Sequence, residues 1–197
     1  EQIDVLVIGA GHNGLTAAAV LARGGLRVTV LEARDVLGGA AATEAVFPGY
    51  RVNTGAETAS LLQDEVVRAL FLKMYGLELR DSPVALFAPQ PDGTALTLWQ
   101  DVERSAAEIA RLSARDAARY PSFAAEVQTM TGALQSMMLL APPDLTALDP
   151  GALAGWGKVG WKVRRLGDRE MMAFMRILPM PVRDYLDDWF ESEPLKA

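Results

Sequence analysis

Residues 4–40, DVLVIGAGHNGLTAAAVLARGGLRVTVLEARDVLGGA, constrain the fold more than any other stretch of this chain. A short apolar run, Val5 to Ile8, leads into a glycine loop, Gly9-Ala10-Gly11-His12-Asn13-Gly14. An alanine-rich segment, Leu15 to Arg23, follows and stops at Gly24-Gly25. A second apolar run, Val28 to Leu31, ends at Glu32. Strand, glycine turn, helix, strand and acid in that order form a βαβ unit with a dinucleotide site at its mouth.

Each position has a physical reason. Gly9 lets the chain turn off the strand, Gly11 lets a pyrophosphate approach bare backbone, and Gly14 lets the helix lie close to the sheet. Free N–H groups at the helix start, with the positive end of its dipole, favour phosphate charge. His12 and Asn13 sit in this loop, and His12 reads as a loop residue near the phosphates. Glu32 stands where a carboxylate reaches both ribose hydroxyls, and it disfavours a 2′-phosphate. A glycine-rich turn alone is a weak signal; its strength here comes from the strand, helix and acid around it.

Composition removes several chemistries. The 197 residues contain no cysteine, so disulfides, thiolate nucleophiles and cysteine-bound metals are excluded within this chain. His12 is the single histidine, which excludes a histidine-based triad elsewhere and any site needing two imidazole ligands. A net charge of −6 argues against a broad nucleic-acid surface. No apolar run approaches a membrane span. The N-terminus does not read as a signal peptide, because acids rather than bases flank Val5 to Ile8. A cytoplasmic location is expected, with a position at a membrane surface as the variant.

Beyond Glu32, the sequence Ala33-Arg34-Asp35-Val36-Leu37-Gly38-Gly39-Ala40 places a cation before a glycine pair, a second loop where a ligand can approach backbone. Thr43 to Val52 reads as extended chain turning at Pro48-Gly49. The turn Asn53-Thr54-Gly55-Ala56 has two readings, as a border of the ligand site and as plain loop.

The segments DVLVIGAGHNGL, LEARDVLGGAAATE and PGYRVNTGAETASLL resemble the flavoprotein family of carotenoid (phytoene) desaturases and their amine-oxidase relatives. Within that superfamily they look most like the branch called pyridine nucleotide-disulfide oxidoreductase domain proteins. The resemblance implies a Rossmann-like α/β fold whose glycine loop and acid hold the ADP part of FAD. It implies Gly9, Gly11, Gly14, Glu32, Arg34, Gly38, Gly39 and Ala40 at FAD, with Gly55 and Ala56 as further members. Ala10, His12, Asn13 and Ala33 complete the candidate set as members of the same two loops. The word disulfide in the branch name cannot describe chemistry here, since no cysteine is present.

The tail, DYLDDWFESEPLKA, also looks like that branch. Family members are much longer, and a C-terminal segment returns to close over their flavin. The chain therefore corresponds to the front portion, with the return segment outside it. The expected division is residues 1–76 as the N-terminal part of the FAD domain and 77–197 as part of a substrate domain, with short strands over 77–100 and helices over 101–197.

Leu61 to Tyr75 carries apolar residues at helical spacing, with Gly76 as C-cap. Val84 to Ala88 and Ala95 to Trp99 flank Asp92-Gly93, a β-hairpin pattern. Ser105 with Glu108 and Ser113 with Asp116 have capping-box spacing. Tyr120, Phe123, Val127, Met130, Leu134 and Met137 form one helix face, whose methionines read as core packing. Pro121 is expected to bend or restart that helix, Pro142-Pro143 to end it, and 144–150 to be a linker.

In Gly155 to Arg169, Trp156 and Trp161 lie among Lys158, Lys162, Arg164 and Arg165. One reading is a packed helix with a solvated basic face; the other is peripheral membrane contact through Trp156, Lys158, Trp161 and Lys162. Met171 to Leu178 is helical, Pro179 and Pro181 break it, and the acidic tail reads as a solvated face around Leu186, Trp189 and Phe190.

The function expected is an FAD-dependent oxidoreductase of dehydrogenase or desaturase type. The resemblance implies an apolar, isoprenoid or carotenoid-like substrate. Flavin oxidation needs no side-chain nucleophile, which suits the composition. The alternatives are an amine-oxidase-like flavoenzyme and a non-catalytic nucleotide-binding module. Expected partners are a small apolar substrate and either a second copy or the C-terminal part of the same protein. No side chain stands out as a catalytic acid or base, and no metal-ligand spacing is present.

Overall fold

A computed structural model describes residues 2–138, 140–142, 146 and 150–196. Pro143 and most of the expected linker over 144–150 lie outside the described residues. The chain divides into two units, Glu1–Asp81 and Ser82–Ala197.

The first unit is built on the βαβ motif. Strands β1 (Val5–Ile8) and β2 (Val28–Leu31) pair in parallel, Val5 opposite Val28 and Ile8 opposite Leu31. A parallel pair needs a crossover, and α1 (His12–Arg23) supplies it. Asp4 fixes the register from one end. It accepts hydrogen bonds from the Arg27 Nε–H and main-chain N–H, both 2.9 Å, and its other oxygen lies 2.7 Å from Arg27 Nη2. The guanidinium beside it holds the Asp4 carboxyl below its usual range.

The hairpin β3 (Thr43–Phe47) and β4 (Tyr50–Asn53) turns at Gly49, as the Pro-Gly pair indicates. The expected helix over Leu61–Tyr75 is shorter: α2 covers Asp64–Ala69. It ends because Phe71 takes a left-handed conformation, φ 54°, while the Arg23 guanidinium lies 4.5 Å from its ring centroid. Leu6, Ile8 and Leu31 of the β1–β2 pair are exposed.

In the second unit, β5 (Val84–Pro89) and β6 (Ala95–Trp99) form the expected hairpin. Helix α3 (Val102–Ile109) follows, capped not by Ser105 but by Asp101, whose carboxylate accepts the Arg104 N–H at 2.7 Å. Ser105 is instead fully buried. Its hydroxyl accepts the Trp99 N–H at 2.7 Å, and its one proton is shared between the Trp99 and Asp101 carbonyls, each at 3.0 Å. Helix α4 (Ala114–Gln135) runs through Pro121 without restarting and ends before Pro142. Proline costs a helix one N–H bond near its middle and less near its first turns; Pro121 is eight residues in.

Helices α5 (Pro150–Arg164), α6 (Asp168–Ile177), α7 (Val182–Trp189) and α8 (Glu193–Lys196) complete the unit. One core cluster joins Met130 and Ala133 of α4 to Val159 and Val163 of α5 and Phe174 of α6, with Met137 packed against it. A second seam is aromatic. Phe123 lies 4.8 Å from Phe190, 5.7 Å from Trp189 and 5.8 Å from Tyr185, measured between ring centroids. Burial, with the Glu126 carboxylate accepting the Tyr185 hydroxyl at 2.8 Å, pushes that phenol up.

Asp116 locks the tail onto α4. It is completely buried, and its side chain does not close a capping box. Its carboxylate accepts the main-chain N–H groups of Glu191, at 3.0 and 3.2 Å, and Ser192, at 2.9 Å. The Glu191 side chain in turn meets the Ser113 hydroxyl and the Arg115 guanidinium at 2.7 and 2.8 Å. The tail's acids are thus partnered as well as solvated: Asp188 pairs with Arg176, and Asp187 with Lys196. Burial alone raises the Asp116 carboxyl, but the donors from Ser192 and Glu191 outweigh it and leave it below the ordinary range.

Asp116→Ala strands two N–H groups in the interior, so it is expected to cost roughly 2–4 kcal/mol, against under about 0.5 for the exposed Asp184→Ala. Urea unfolding followed by tryptophan fluorescence checks this, because all four tryptophans lie in the second unit. A folded-state carboxyl below its unfolded value stabilises above the unfolded pKa. That contribution is lost as pH falls below about 4 and through the folded value. The acid limb of the wild-type stability profile should flatten in Asp116→Ala.

Candidate dinucleotide site

The site forms where β1 gives way to α1. The Gly9 N–H extends the strand pairing by donating to the Leu31 carbonyl at 2.7 Å. Ala10, only 1% exposed, then ties three segments together. Its N–H donates to Glu32 Oε2 at 2.7 Å, and its carbonyl accepts the Gly38 N–H at 2.8 Å. Gly11 and Gly38 form an isolated parallel bridge beside it.

Two close backbone approaches permit only glycine. A Cβ on Gly14 would lie 2.1 Å from the Gly9 carbonyl oxygen, inside any allowed contact. A Cβ on Gly39 would meet the Gly11 Cα at 2.9 Å, and Gly39 has φ 58°. The two glycine loops therefore lie backbone to backbone. The expected third loop reaches the same place: a Cβ on Gly55 would come within 3.2 Å of the Ala40 Cα and carbonyl oxygen. Ala56 is half-buried next to it.

The start of α1 is left open to an anion. Gly11 is its N-cap and offers no side-chain cap, and the first turn holds no acid. Among the described residues, the N–H groups of Asn13 and Gly14 meet no acceptor, and that of His12 is turned toward the Gly38 carbonyl by the Gly11–Gly38 bridge, whereas Asp101 and Ser113 cap α3 and α4. The His12 and Asn13 side chains are exposed at this turn. An ADP diphosphate fits such an end, where donors and dipole converge and no Cβ intrudes.

Glu32 is half-buried at the end of β2. Besides the Ala10 N–H on one oxygen, it accepts the Arg34 N–H on the other at 3.0 Å. Those donors, Arg34 first, hold its carboxyl below the usual glutamate range, with a smaller contribution from the Ala33 N–H. An ionised carboxylate offers about four lone-pair positions. Ala10 and Arg34 take two of them and the Ala33 N–H adds a weaker contact, which leaves acceptor capacity for a ribose hydroxyl. The Arg34 side chain has another destination: its guanidinium pairs with Glu44 on β3. No periodicity links Arg34 to Glu44, so the sequence carries no signal for that pair.

Residues 7–73 match the family described as NAD(P)-binding Rossmann-like domains. That match lies within the first unit. Over its whole length the chain is 35% identical to pyridine nucleotide-disulfide oxidoreductase domain-containing protein 2 of Rattus norvegicus, of which it spans 36%. A limonene dehydrogenase subunit of Castellaniella defragrans is 42% identical over 66% of this chain and 24% of its own length. Hydroxyneurosporene desaturase of Rhodobacter capsulatus is 34% identical over 74% of this chain and 30% of its own length. The chain thus spans about a third or less of the curated relatives it matches.

The packing at Gly14 gives a direct test. Gly14→Ala should destabilise the first unit by about 1–3 kcal/mol or more through overpacking. Gly157→Ala, in helical α5 with nothing within 4 Å of the added Cβ, should be neutral or stabilising. Amide hydrogen exchange over 5–31 in the first variant and thermal unfolding of the second check the pair. Native protection of that segment in Gly14→Ala would contradict the close approach.

Proposed function

We propose that this chain is the dinucleotide-binding part of an FAD-dependent oxidoreductase acting on an apolar, isoprenoid-like substrate. The observation that carries the reading is Glu32, a carboxylate with acceptor capacity left over, set beside an uncapped helix start and bare backbone. A ribose-diphosphate has hydroxyls for the first and charge for the second.

The second glycine loop favours FAD over a nicotinamide dinucleotide. Gly38 and Gly39 lie against Gly11, and Gly55 lies against Ala40, so a second stretch of backbone open to close approach lies beside the helix start. That extension suits a ligand whose diphosphate leads on to a ribityl chain. In the folded site Glu32 orients the ribose, and the N–H groups of Asn13 and Gly14 hold the diphosphate. Ala10, pinned from both sides, keeps the loops in register. FAD, when bound, supplies a two-electron acceptor. With no cysteine in the chain, no dithiol here can relay those electrons.

Support for the substrate class comes from the relatives' names. Limonene and hydroxyneurosporene are both isoprenoids, and the proteins named for them are a dehydrogenase and a desaturase. Anaerobic addition of isoprenoid polyenes or of amines to the flavin-loaded protein separates this reading from an amine-oxidase-like one. Bleaching of the visible flavin bands by the polyene and not by the amine is expected. A protein that remains colourless after incubation with FAD contradicts the flavin assignment.

Replacing Glu32 tests the ribose contact. Glu32→Ala is expected to weaken ADP binding about ten- to a hundredfold, the range for losing an ionised hydrogen-bond acceptor. Glu32→Gln, which keeps an acceptor for the Ala10 N–H, should lose about tenfold while holding the loop in place. Calorimetric titration with ADP measures both, and wild-type affinity in Glu32→Ala would remove the ribose from this site.

A further inference from the structure

The cations of this chain are unevenly satisfied. Of its 19 lysines and arginines, most meet a carboxylate, an aromatic ring or a carbonyl. Among the described residues, Arg51, Lys73, Lys158, Arg165 and Arg169 meet none of these. Three of those five fall within 158–169: Lys158 on α5, Arg165 just past its end and Arg169 at the start of α6. Helix α5 itself, PGALAGWGKVGWKVR, contains no acid in a chain of net charge −6.

The two faces of α5 differ. Val159 and Val163 are buried in the core cluster. Trp156 and Lys162 also turn back toward the unit. The Trp156 Nε1–H donates to the Ala141 carbonyl at 2.9 Å, and Lys162 Nζ donates to the Gly132 carbonyl at 2.8 Å and the Ser136 hydroxyl at 2.6 Å. Trp161 points the other way and is 66% exposed. Lys158 lies three residues before it and Arg165 four after it, so all three share one stripe. The Arg165 N–H donates to the Trp161 carbonyl at 3.0 Å, which keeps Arg165 in helical register.

We propose that the stripe Lys158–Trp161–Arg165 is a docking surface for a bilayer bearing anionic lipids. An exposed indole carries apolar area and a free N–H, a combination suited to the headgroup level. The uncompensated cations one turn to either side supply attraction to anionic headgroups, which falls off within a Debye length. The net negative charge elsewhere repels the same surface, so the field turns this face toward it. Too few cations cluster here for a nucleic-acid track. No helix among the described residues is long and apolar enough to cross a membrane. This inference stands independently of the flavin reading, because it rests on charge and exposure in the second unit alone.

Vesicle co-sedimentation tests it. Binding is expected to vesicles of phosphatidylcholine mixed with phosphatidylserine, to be several-fold weaker on phosphatidylcholine alone, and to fall with added salt. Lys158→Ala and Arg165→Ala should each weaken it about fivefold. Trp161→Ala should weaken it as well, while Trp156→Phe should leave it near wild type once circular dichroism shows both folded. Wild-type binding by Trp161→Ala and by the double charge variant overturns the proposal, as does no binding to the anionic vesicles at low salt. Capture by immobilised polyglutamate without vesicle binding would assign the stripe to an acidic protein and overturn it too.

Discussion

One residue, Ala10, holds the first unit of this molecule in a shape that can receive a ligand. Its N–H reaches the carboxylate that ends the second strand, and its carbonyl receives the N–H of Gly38. The first strand's end, the second strand's end and the Gly-Gly loop therefore meet at a single buried alanine. Side chains would prevent the meeting, since Gly11 and Gly39 are in backbone contact and Gly14 sits on the Gly9 carbonyl. Glu32 consequently has two tasks. It pins the loop, and it keeps acceptor capacity beside a helix start that no side chain caps. Structure and binding chemistry depend on the same carboxylate, which is why its substitution by Gln and by Ala should differ.

The second unit is organised by another carboxylate. Asp116 has no solvent contact and is satisfied by main-chain donors from a segment some 75 residues away. That segment brings Tyr185, Trp189 and Phe190 onto Phe123. With the tail locked at one end and Met130, Val159, Val163 and Phe174 packed at the other, the outward stripe of α5 is presented on a supported helix.

The local features were legible in the sequence. The βαβ unit, the Pro-Gly hairpin turn, the Asp-Gly hairpin and the core position of Met130 all follow from periodicity and turn chemistry, which act over a few residues, whereas Leu134 of the same expected face is exposed. What the sequence hid was long-range. Ser105 and Asp116 stand at capping-box spacing, yet Ser105 closes the junction of β6 and α3, and Asp116 binds a tail that no local pattern connects to it. Helix α2 stops early because Phe71, an ordinary residue in sequence, adopts a left-handed conformation beneath Arg23. In α5, spacing alone does not separate Trp156 and Lys162, which have partners on the unit itself, from Trp161 and Lys158, which face outward. At the candidate site the glycines were readable because close backbone approach has a single solution. The pairing of Arg34 with Glu44 was not, because an exposed ion pair leaves no pattern behind.

The account is tested most directly by following backbone amide resonances while ADP is added. Selective shifts of His12, Asn13 and Gly14, with smaller ones at Gly38 and Gly39 and none at Asp116, are the predicted result. Saturable ADP binding that leaves those glycine-loop amides unmoved would contradict it.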